Sequence, residues 1–285
     1  MLSKWLGLAL LLTAVPAFSQ TSGALAPQTT AVIAPRQHPP RRVLPGTSPV
    51  YDPVNHVKVS YTDNWAGYAV TGSDFTYVSG SWTVTKPNCA KTPNSYSSEW
   101  VGIDGWSSFS VEQIGTDTDC NGKTPFYYVW YEFYPLSTVV IKDVSIAPGD
   151  TFLASVTYDG DDEYTVSIKN ETTGESFSKE VKFQGAFGSG RPRRNSAEWI
   201  MEMDSGKPMD LADFGEDSFG QYYTGVSGGA DTATNASASG VIADFDGAVE
   251  ESITTTNGER RSPQTAIPSA LAPDGSSFTV TWKSE

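Results

Sequence analysis

Histidine is almost missing from this chain of 285 residues: the only two are His38 and His56, both before residue 59. A folded body over residues 59–285 that has no histidine cannot use the serine–histidine or cysteine–histidine pairs that activate a nucleophile. The segment Gly225–Gly229 matches the G-x-S-x-G pattern of hydrolases, but no histidine follows it, so we interpret it as a glycine loop. Acid–base chemistry in this chain is therefore expected from carboxyl groups.

Basic residues and long apolar runs are also scarce. Nineteen Lys and Arg stand against 33 Asp and Glu, which gives a net charge of −14. Nucleic acids and anionic membrane surfaces attract basic proteins, so neither is an expected partner. After the first 20 residues no segment approaches the roughly 18 consecutive apolar residues of a membrane-spanning helix.

The N-terminus has the layout of a secretory signal peptide over residues 1–19. Lys4 precedes the apolar run Leu6–Val15, and small residues surround the end of the segment at Ala17–Ser19. We therefore expect a secreted, extracellular or periplasmic protein. In such a compartment the two cysteines, Cys89 and Cys120, are expected to form a disulfide. Two cysteines without nearby histidine do not complete a metal site, and no cofactor is implied.

Residues 20–58 form a second, proline-rich segment without helix or strand periodicity. This composition buries little apolar surface, so it predicts a linker or a pro-segment. Residues 1–58 hold five Lys or Arg and one Asp, a net charge of +4 that leaves −18 for residues 59–285. The charge difference suggests a pro-segment that docks on the acidic domain and inhibits it, with self-removal on acidification as a related hypothesis. A linker without a role is the alternative.

The remaining domain, residues 59–285, is predicted to be all-β. Short runs rich in β-branched and aromatic residues alternate with turn signals, and Phe278, Val280 and Trp282 lie on one face of such a run. Turn-forming residues such as Asp159–Asp162 separate neighbouring runs, and no convincing amphipathic helix lies between them. This pattern is typical of an antiparallel sandwich or barrel.

Two aromatic strands contain candidate carboxylates. Glu132 lies in the run Trp130–Tyr134, and Glu198 lies in the run Ala197–Met201. Strand alternation places Glu198 on the same face as Ile200 and Glu202, and a face that mixes acids with apolar groups raises the pKa of a carboxyl by desolvation. Carboxyls of this kind are candidates for general acid–base catalysis.

Several motifs, in order along the chain, resemble those of one family, the glutamic peptidases, also called eqolisins or peptidase family G1. The motifs run from about residue 60 to the C-terminus. They are Asn64–Gly67, Trp100–Gly105, Gln113–Gly115, Trp130–Pro135, Ala197–Glu202, Leu211–Gly215 and Asp274–Trp282. No single motif is specific, but their ordered set is.

The resemblance implies a concanavalin-like jelly roll, a sandwich of two antiparallel seven-stranded sheets, and an acid-acting endopeptidase that is insensitive to pepstatin. The matching catalytic positions are Glu198 and Gln113. Glu198 would act as the general base that activates water, and the Gln113 amide would stabilise the oxyanion. A glutamine suits this role because its amide keeps the same charge and donor capacity at acidic pH.

The resemblance also implies five substrate-binding or supporting positions: Trp65, Trp100, Asp104, Glu132 and Tyr134. Two departures affect this assignment. Tyr128 stands where an Asp is expected in that strand, and the spacer before Gln113 is one residue short, so that Glu112 competes with Gln113 for the register. Gln113 fits better because it precedes Ile114–Gly115 in the family's Gln-x-Gly pattern.

Two other functions fit the residues. A β-sandwich glycoside hydrolase would use Glu132 and Glu198 as its carboxyl pair. A non-catalytic carbohydrate-binding sandwich would use Trp100, Trp106 and Trp130 as stacking platforms. For the peptidase, the expected partners are polypeptide substrates and its own pro-segment, and the expected state is a monomer.

Overall fold

The computed structural model describes residues 35–44, 50–51, 57–184, 191–203, 210–254 and 264–284. The predicted signal peptide 1–19 lies outside the described residues, as do the parts 20–34, 45–49 and 52–56 of the proline-rich segment, including His56. Within the described ranges, no helix is long and apolar enough to cross a membrane.

Strands account for nearly all the regular structure in these ranges, so the predicted all-β class is confirmed. The helical elements described are the four-residue helix α1 (Gln221–Thr224) and a 3-10 turn (Ile242–Asp244). The strands are β1 (Val50–Tyr51), β2 (Lys58–Thr62), β3 (Trp65–Thr71), β4 (Tyr77–Thr83), β5 (Ser95–Tyr96), β6 (Ser98–Ile103), β7 (Val111–Asn121), β8 (Thr124–Tyr134), β9 (Val139–Ile141), β10 (Thr151–Gly160), β11 (Glu163–Asn170), β12 (Ser176–Lys182), β13 (Ser196–Glu202), β14 (Asp210–Leu211), β15 (Glu216–Phe219), β16 (Thr232–Thr234), β17 (Ser239–Val241), β18 (Ala248–Thr254), β19 (Gln264–Pro268) and β20 (Phe278–Ser284).

The strands form two layers. The front layer runs in the order β9, β8, β7, β6, β13, β3, β18 and β2, and its pairs are antiparallel except β18 with β2. The back layer contains β12, β11, β10 and β4, followed by β16, and β15 with β20 and β19. Hydrogen bonds join eighteen strands of both layers into one continuous sheet, so the two seven-stranded sheets stay a prediction.

The main core lies between the layers. Alternation in the back layer buries Phe152, Ala154 and Val156 on one face of β10, as a strand with one solvated face requires. The front strands differ because they are buried on both faces, and β6 and β13 have no exposed residue. Their outer face, called the front face below, has a smaller apolar cluster formed by Trp65, Trp100, Val111, Tyr128, Trp130 and Ile200.

Residues 35–44, called the leader strip below, cover part of the front face. Val43 forms a β-bridge with Thr62, and the Leu44 amide donates to the Tyr61 carbonyl at 3.1 Å. The His38 side chain is completely buried. His38 is the one buried residue of this strip, and aromatic and acidic groups of the front face supply its contacts.

The predicted disulfide is confirmed. Cys89, in the loop after β4, is bonded to Cys120 near the end of β7, with 5.3 Å between the two Cα atoms. The bond ties the loop to one of the strands that form the candidate site.

Candidate active site

Four positions in the middle of the front layer lie side by side in register. Glu132 on β8 pairs with Gln113 on β7, Gln113 pairs with Gly102 on β6, and Gly102 pairs with Glu198 on β13. Paired residues point to the same face, so Gln113 and Glu198 face each other across a glycine. A Cβ atom at Gly102 would lie 2.9 Å from the Trp100 ring and 3.1 Å from the Gln113 Cβ, so this position of the row, called the gap below because it has no side chain, leaves no room for one.

Glu198 is fully buried, and neither of its carboxylate oxygens has a hydrogen-bond partner among the described residues. Burial raises the pKa of Glu198 well above its usual value and the charges of Asp104 and Glu112 raise it further, while the Ser196 side chain and the positive charge of Arg41 oppose them. A buried carboxyl with a pKa shifted in this way is a candidate for proton transfer.

Gln113 and Glu132 hold the main chain of one residue of the leader strip. The Gln113 amide nitrogen Nε2 donates to the His38 carbonyl oxygen at 2.8 Å and to Glu132 Oε2 at 3.2 Å. The same Glu132 oxygen accepts the His38 amide N–H at 2.7 Å. Burial raises the pKa of Glu132 to about 7 against the opposing effect of His38. The pair thus recognises both main-chain polar groups of one residue.

Trp65 and Trp100 act on the site through Glu202. The Trp65 indole N–H donates to Glu202 Oε1 at 3.1 Å, and the Trp100 indole N–H donates to Oε2 at 2.9 Å. Asn64 Nδ2 adds a third donor at 3.2 Å. The two indole rings meet edge to face, with their centroids 5.0 Å apart. Hydrogen bonds of this kind stabilise the ionised form of a carboxyl.

The His38 imidazole fills a pocket beside this carboxylate. It stacks on Trp130 with 3.6 Å between the ring centroids and an angle of 1° between the planes. Its Nδ1 atom lies 3.2 Å from the Ser98 hydroxyl and 3.4 Å from Glu202 Oε2, and its Nε2 atom lies 3.8 Å from Asp117 Oδ1. Asp117 in turn accepts the Trp130 indole N–H at 3.1 Å. The pocket therefore combines a flat apolar wall with two acidic groups.

The other predicted site residues have different positions. The Asp104 carboxylate accepts the main-chain N–H groups of residues 193–195 at 2.7 to 3.0 Å, which fixes the segment that leads into β13 and Glu198. Tyr134 pairs with Val111 at the end of β8 and packs half-buried against the front-face cluster. The structure thus brings Trp65, Trp100, Glu132 and Tyr134 onto one face, while Asp104 binds the backbone beside it.

Three arginines of the leader strip form ion pairs with this face. Arg36 lies 3.4 Å from Asp119 and 3.1 Å above the centre of the Tyr96 ring. Arg41 bonds Glu251 at 2.9 Å and stacks on Trp106, and Arg42 bonds Asp63 at 2.7 Å. The contacts match the charge difference between the proline-rich segment and the acidic domain.

Several of these groups escaped the sequence reasoning. Asp117 and Asp119 lie four and six residues after Gln113 on β7. Strand alternation alone could therefore have placed them on the same face as Gln113. Glu251 joins the face through the long-range pairing of β18 with β3, for which the sequence has no signal. His38 was missed because its surroundings along the chain predict no buried structure.

The described residues contain no group of three or more His, Cys, Asp or Glu arranged to hold a metal ion. The chemistry that the front face can support directly is proton transfer at Glu198 and hydrogen bonding to a peptide by Gln113 and Glu132.

Comparison of the sequence with protein-family models finds a match to the Peptidase A4 family over residues 63–268. Among curated proteins, the chain is 33% identical over 150 residues to scytalidopepsin B of Scytalidium lignicola, a match that covers 52% of this chain and 55% of that protein. It is 29% identical over 180 residues to aspergillopepsin-2 of Aspergillus niger, covering 56% and 63% of the two chains. The matches therefore span less than two thirds of either relative.

Solved structures share the fold. A scytalido-glutamic peptidase bound to a transition-state analogue superposes with a TM-score of 0.62 at 24% identity, over 78% of this chain and 98% of that one. The aspergilloglutamic peptidase of Aspergillus niger superposes with a TM-score of 0.50 at 26% identity, over 66% of this chain and 99% of that one.

Proposed function

The chain belongs to the Peptidase A4 family, and from this premise we propose that it is a secreted, acid-acting glutamic endopeptidase that hydrolyses peptide bonds in polypeptides. Glu198 is the general base and Gln113 the oxyanion donor. The proposal agrees with the two curated relatives and with the sequence motifs that resemble the glutamic peptidases.

In the proposed mechanism Glu198 takes a proton from a water molecule, and the resulting hydroxide adds to the carbonyl carbon of the substrate. Negative charge develops on the carbonyl oxygen, where the Gln113 amide N–H donates to it. Glu198 then passes the proton to the leaving nitrogen as the C–N bond breaks. Glu198 can accept a proton only when it is ionised, and burial raises its pKa in this structure. We therefore expect the carboxyl to ionise for catalysis once the leader strip has left and water reaches it.

One observation supports the proposal most directly. The Gln113 amide donates to a main-chain carbonyl, that of His38, at 2.8 Å, and Glu198 lies on the same face beyond Gly102. A peptide carbonyl is thus already bound where a peptidase needs it, next to a buried carboxyl without a fixed partner among the described residues.

The glycosidase alternative is less well supported. Its carboxyl pair would be Glu132 and Glu198, which lie on strands separated by β7 and β6. Three strand spacings put these backbones about 14 Å apart. Glycosidases hold their two carboxyl groups about 5–9.5 Å apart. Gln113 also lies in the row between the two carboxyl groups, and a glycosidase of this kind does not need it.

We propose in addition that residues 20–58 are a removable inhibitory pro-segment. The leader strip covers Gln113 and Glu132 and contributes three ion pairs with Asp119, Glu251 and Asp63. Protonation of these acids weakens the ion pairs as the pH falls, which favours release in an acidic medium. A monomer is the expected active form.

Replacing Glu198 tests the mechanism. Full-length wild type and Glu198→Gln are incubated with denatured protein between pH 2 and 6, and new N-termini are counted over time. General acid–base catalysis is worth about 10²–10⁴ in rate, so we expect the variant to lose at least about a hundredfold of its activity.

The matched control is Glu163→Gln, which removes an exposed glutamate at the start of β11 and should leave the rate unchanged. The same assay tests self-removal, because the Glu198→Gln precursor should keep its leader at pH 3 while wild type loses it. A Glu198→Gln variant that digests protein as fast as wild type would show that another group is the base.

A further inference from the structure

The outer surface of the back layer, on the opposite side of the sandwich from the front face, contains a groove of about 280 Å³. This groove, called the back groove below, crosses β4, β10 and β11, which lie side by side in register. Its lining includes Tyr77, Ser79, Leu153, Ser155, Ser167 and Gly228. None of its lining residues in the described part of the chain belongs to the front face or to the leader strip.

The sheet surface around the back groove has little charge, although residues 59–285 carry a net charge of −18. Nine outward side chains form three rows across the three strands. The rows are Tyr77, Thr157 and Thr165; Ser79, Ser155 and Ser167; and Ser81, Leu153 and Lys169. Eight of the nine are uncharged, and the ninth, Lys169, is paired with Glu171 at 2.8 Å. An ionic ligand would find no unpaired opposite charge in these rows, so the groove favours an uncharged one.

The middle row consists of hydroxyl groups and extends over five strands, because Thr232 on β16 pairs with Ser79 and Ser178 on β12 pairs with Ser167. The Ser79 and Thr232 hydroxyls are 2.9 Å apart, and those of Ser167 and Ser178 are 2.8 Å apart. Ser155 lies between these two bonded pairs, and its hydroxyl has no hydrogen-bond partner among the described residues. The middle of the groove thus offers a group that can both donate and accept.

The main chain below the back groove is already fully used. Each of the three strands has a hydrogen-bonded neighbour on both sides: β4 lies between β10 and β16, β10 lies between β4 and β11, and β11 lies between β10 and β12. An extended peptide binds a sheet by adding to an unpaired edge, and these three strands offer none. Recognition in the groove therefore depends on side-chain hydroxyls and on apolar surface.

Aromatic and aliphatic groups lie beside the hydroxyl row. Tyr77 and Leu153 flank Ser155 in the two neighbouring rows. A tyrosine has an apolar ring with a polar end, which suits a surface that contacts both a ligand and water. Hydroxyl groups next to apolar surface match a sugar ring, which has hydroxyl groups at its edge and C–H groups on its faces.

The glycine loop Gly225–Gly229 borders the same groove at Gly228. The Gly228 N–H donates to the Gln221 side-chain oxygen at 3.1 Å, which ties the loop to helix α1. Two tyrosines of this helix, Tyr222 and Tyr223, are 62% and 42% exposed. Loop and helix together form a wall beside the hydroxyl row and add exposed aromatic surface next to it.

We propose that the back groove is a binding site for a neutral polysaccharide, in which Ser155 forms hydrogen bonds with sugar hydroxyls and Tyr77 contacts the face of a sugar ring. Neighbouring strands lie about 4.8 Å apart, close to the length of one sugar unit, so a chain that crosses β4, β10 and β11 meets a hydroxyl of the middle row at each strand. Because the groove and the proposed catalytic groups lie on opposite layers, the bound chain holds the enzyme on a glycan-containing material and leaves the front face open to proteins.

Retention on insoluble polysaccharides tests the proposal. The full-length Glu198→Gln chain, which should not digest itself, is mixed with amorphous cellulose, chitin or starch granules, and the unbound protein is measured at increasing amounts of polysaccharide. We expect saturable retention on at least one of the three, with release by soluble oligosaccharides of the same sugar. Ser155→Ala removes one hydrogen-bonding group and should weaken binding about two- to tenfold. Ser155→Glu fills the groove with a charged side chain and should weaken it by more than tenfold.

Ser237→Glu is the matched control, because it introduces the same charge in the exposed turn between β16 and β17 and should bind like the parent chain. Thermal melting shows whether each variant is folded. If Ser155→Glu does not fold, Ser155→Ala and Tyr77→Ala decide the result. In the chain that retains Glu198, Ser155→Ala should leave kcat/KM on a quenched peptide unchanged, since the groove lies on the other layer.

Three outcomes would overturn the proposal. The first is a lack of retention on all three polysaccharides. The second is retention that the folded Ser155 variants keep in full, because carbohydrate would then bind elsewhere. The third is binding of an uncharged peptide that Ser155→Glu abolishes, without binding of any polysaccharide, which would make the groove a peptide site. Retention of the Glu198→Gln chain does not depend on catalysis, so this test is independent of the digestion assay that decides the proposed function.

Discussion

Glu112 and Gln113 are neighbours on β7, yet they face different parts of the molecule. Gln113 lies on the front face, where its amide binds Glu132 and a peptide carbonyl. Glu112 points into the core between the layers, in register with Ile103 and Phe133, and its carboxylate has no hydrogen-bond partner in the described part of the chain. One strand thus separates polar groups that bind a ligand from polar groups that act on stability.

The same contrast extends to other acids. On the front face, Glu132 and Glu202 accept N–H groups from side chains and from the leader strip. In the core, burial raises the pKa of Glu99 to about 8 and the pKa of Asp217 well above its usual value, with the neighbouring charge of Glu99 adding to the second shift. The acids between the layers are therefore held in their neutral form under acidic conditions. Burial raises the pKa of Glu132 on the front face as well, to about 7, so the two sets differ in the N–H groups that the front-face acids accept and not in the direction of this shift.

The largest expected effect of these buried acids is on how the free energy of unfolding depends on pH. Below the usual carboxyl pKa of 4.5, Glu99 is protonated both folded and unfolded and has no pH-dependent effect. As the pH rises from there toward 8, the unfolded chain ionises and the folded chain does not, so stability falls by about 1.4 kcal/mol per pH unit for each such carboxyl. The pKa values of Glu112 and Asp217 are raised for the same reason, so both groups should add to this fall.

Urea unfolding of the Glu198→Gln chain, which should not digest itself, measures this effect between pH 4 and 7.5. We expect the free energy of unfolding to fall across this range and the fall to be shallower in Glu99→Gln, because an amide does not ionise. The exposed Glu163→Gln exchange should leave the slope unchanged. A stability that is constant or rises from pH 5 to 7.5 would contradict the raised pKa of Glu99 and of the other buried carboxyls.

The second expected effect is on activity, and it is measured by substituting the two neighbours on β7, Gln113 and Glu112, separately. Gln113→Ala removes the oxyanion donor, and loss of one such donor costs about 10²–10³ in rate. Glu112→Gln changes a group that faces the core, so kcat/KM at pH 3–4 should stay within about threefold of wild type, the effect expected of a small change in packing. Initial rates on a quenched peptide and thermal melting curves measure both. Equal losses of activity in the two variants would mean that Glu112 contributes to catalysis as much as Gln113 does, although it faces the core.

The sequence predicts on which face the proposed catalytic residues lie better than it predicts which other residues surround them. Alternation and the ordered motifs predict that Glu198 and Gln113 face one cleft, since a strand fixes the face of each side chain locally. The pairing of β6 with β13, which brings the two residues opposite each other, depends on strands about 95 residues apart, and only the fold specifies it. His38 was the largest omission: its segment has no periodicity of its own, and its buried contacts, with Trp130 and Glu202 among them, come from distant parts of the chain.

The smallest expected effect concerns the gap between the two proposed catalytic groups. Gly102 separates Gln113 from Glu198, and an added Cβ would lie 2.9 Å from the Trp100 ring and 3.1 Å from the Gln113 Cβ. Gly102→Ala should therefore displace the amide without removing it, and a shift near 1 Å can cost up to about a hundredfold. We expect a loss of about tenfold in kcat, measured on a quenched peptide at pH 3–4.

Gly122 provides the matched control for this exchange, because it lies in the turn between β7 and β8 with nothing within 4 Å of an added Cβ. Its φ of +61° makes an alanine there strained, so Gly122→Ala should lower the melting temperature and leave kcat unchanged. Gly102→Ala should do the reverse, with a clear loss of kcat at a small change in melting temperature. Full activity in a folded Gly102→Ala chain would show that the front face tolerates a side chain between Gln113 and Glu198. A glycine between them would then not be required for the two groups to act on one peptide bond.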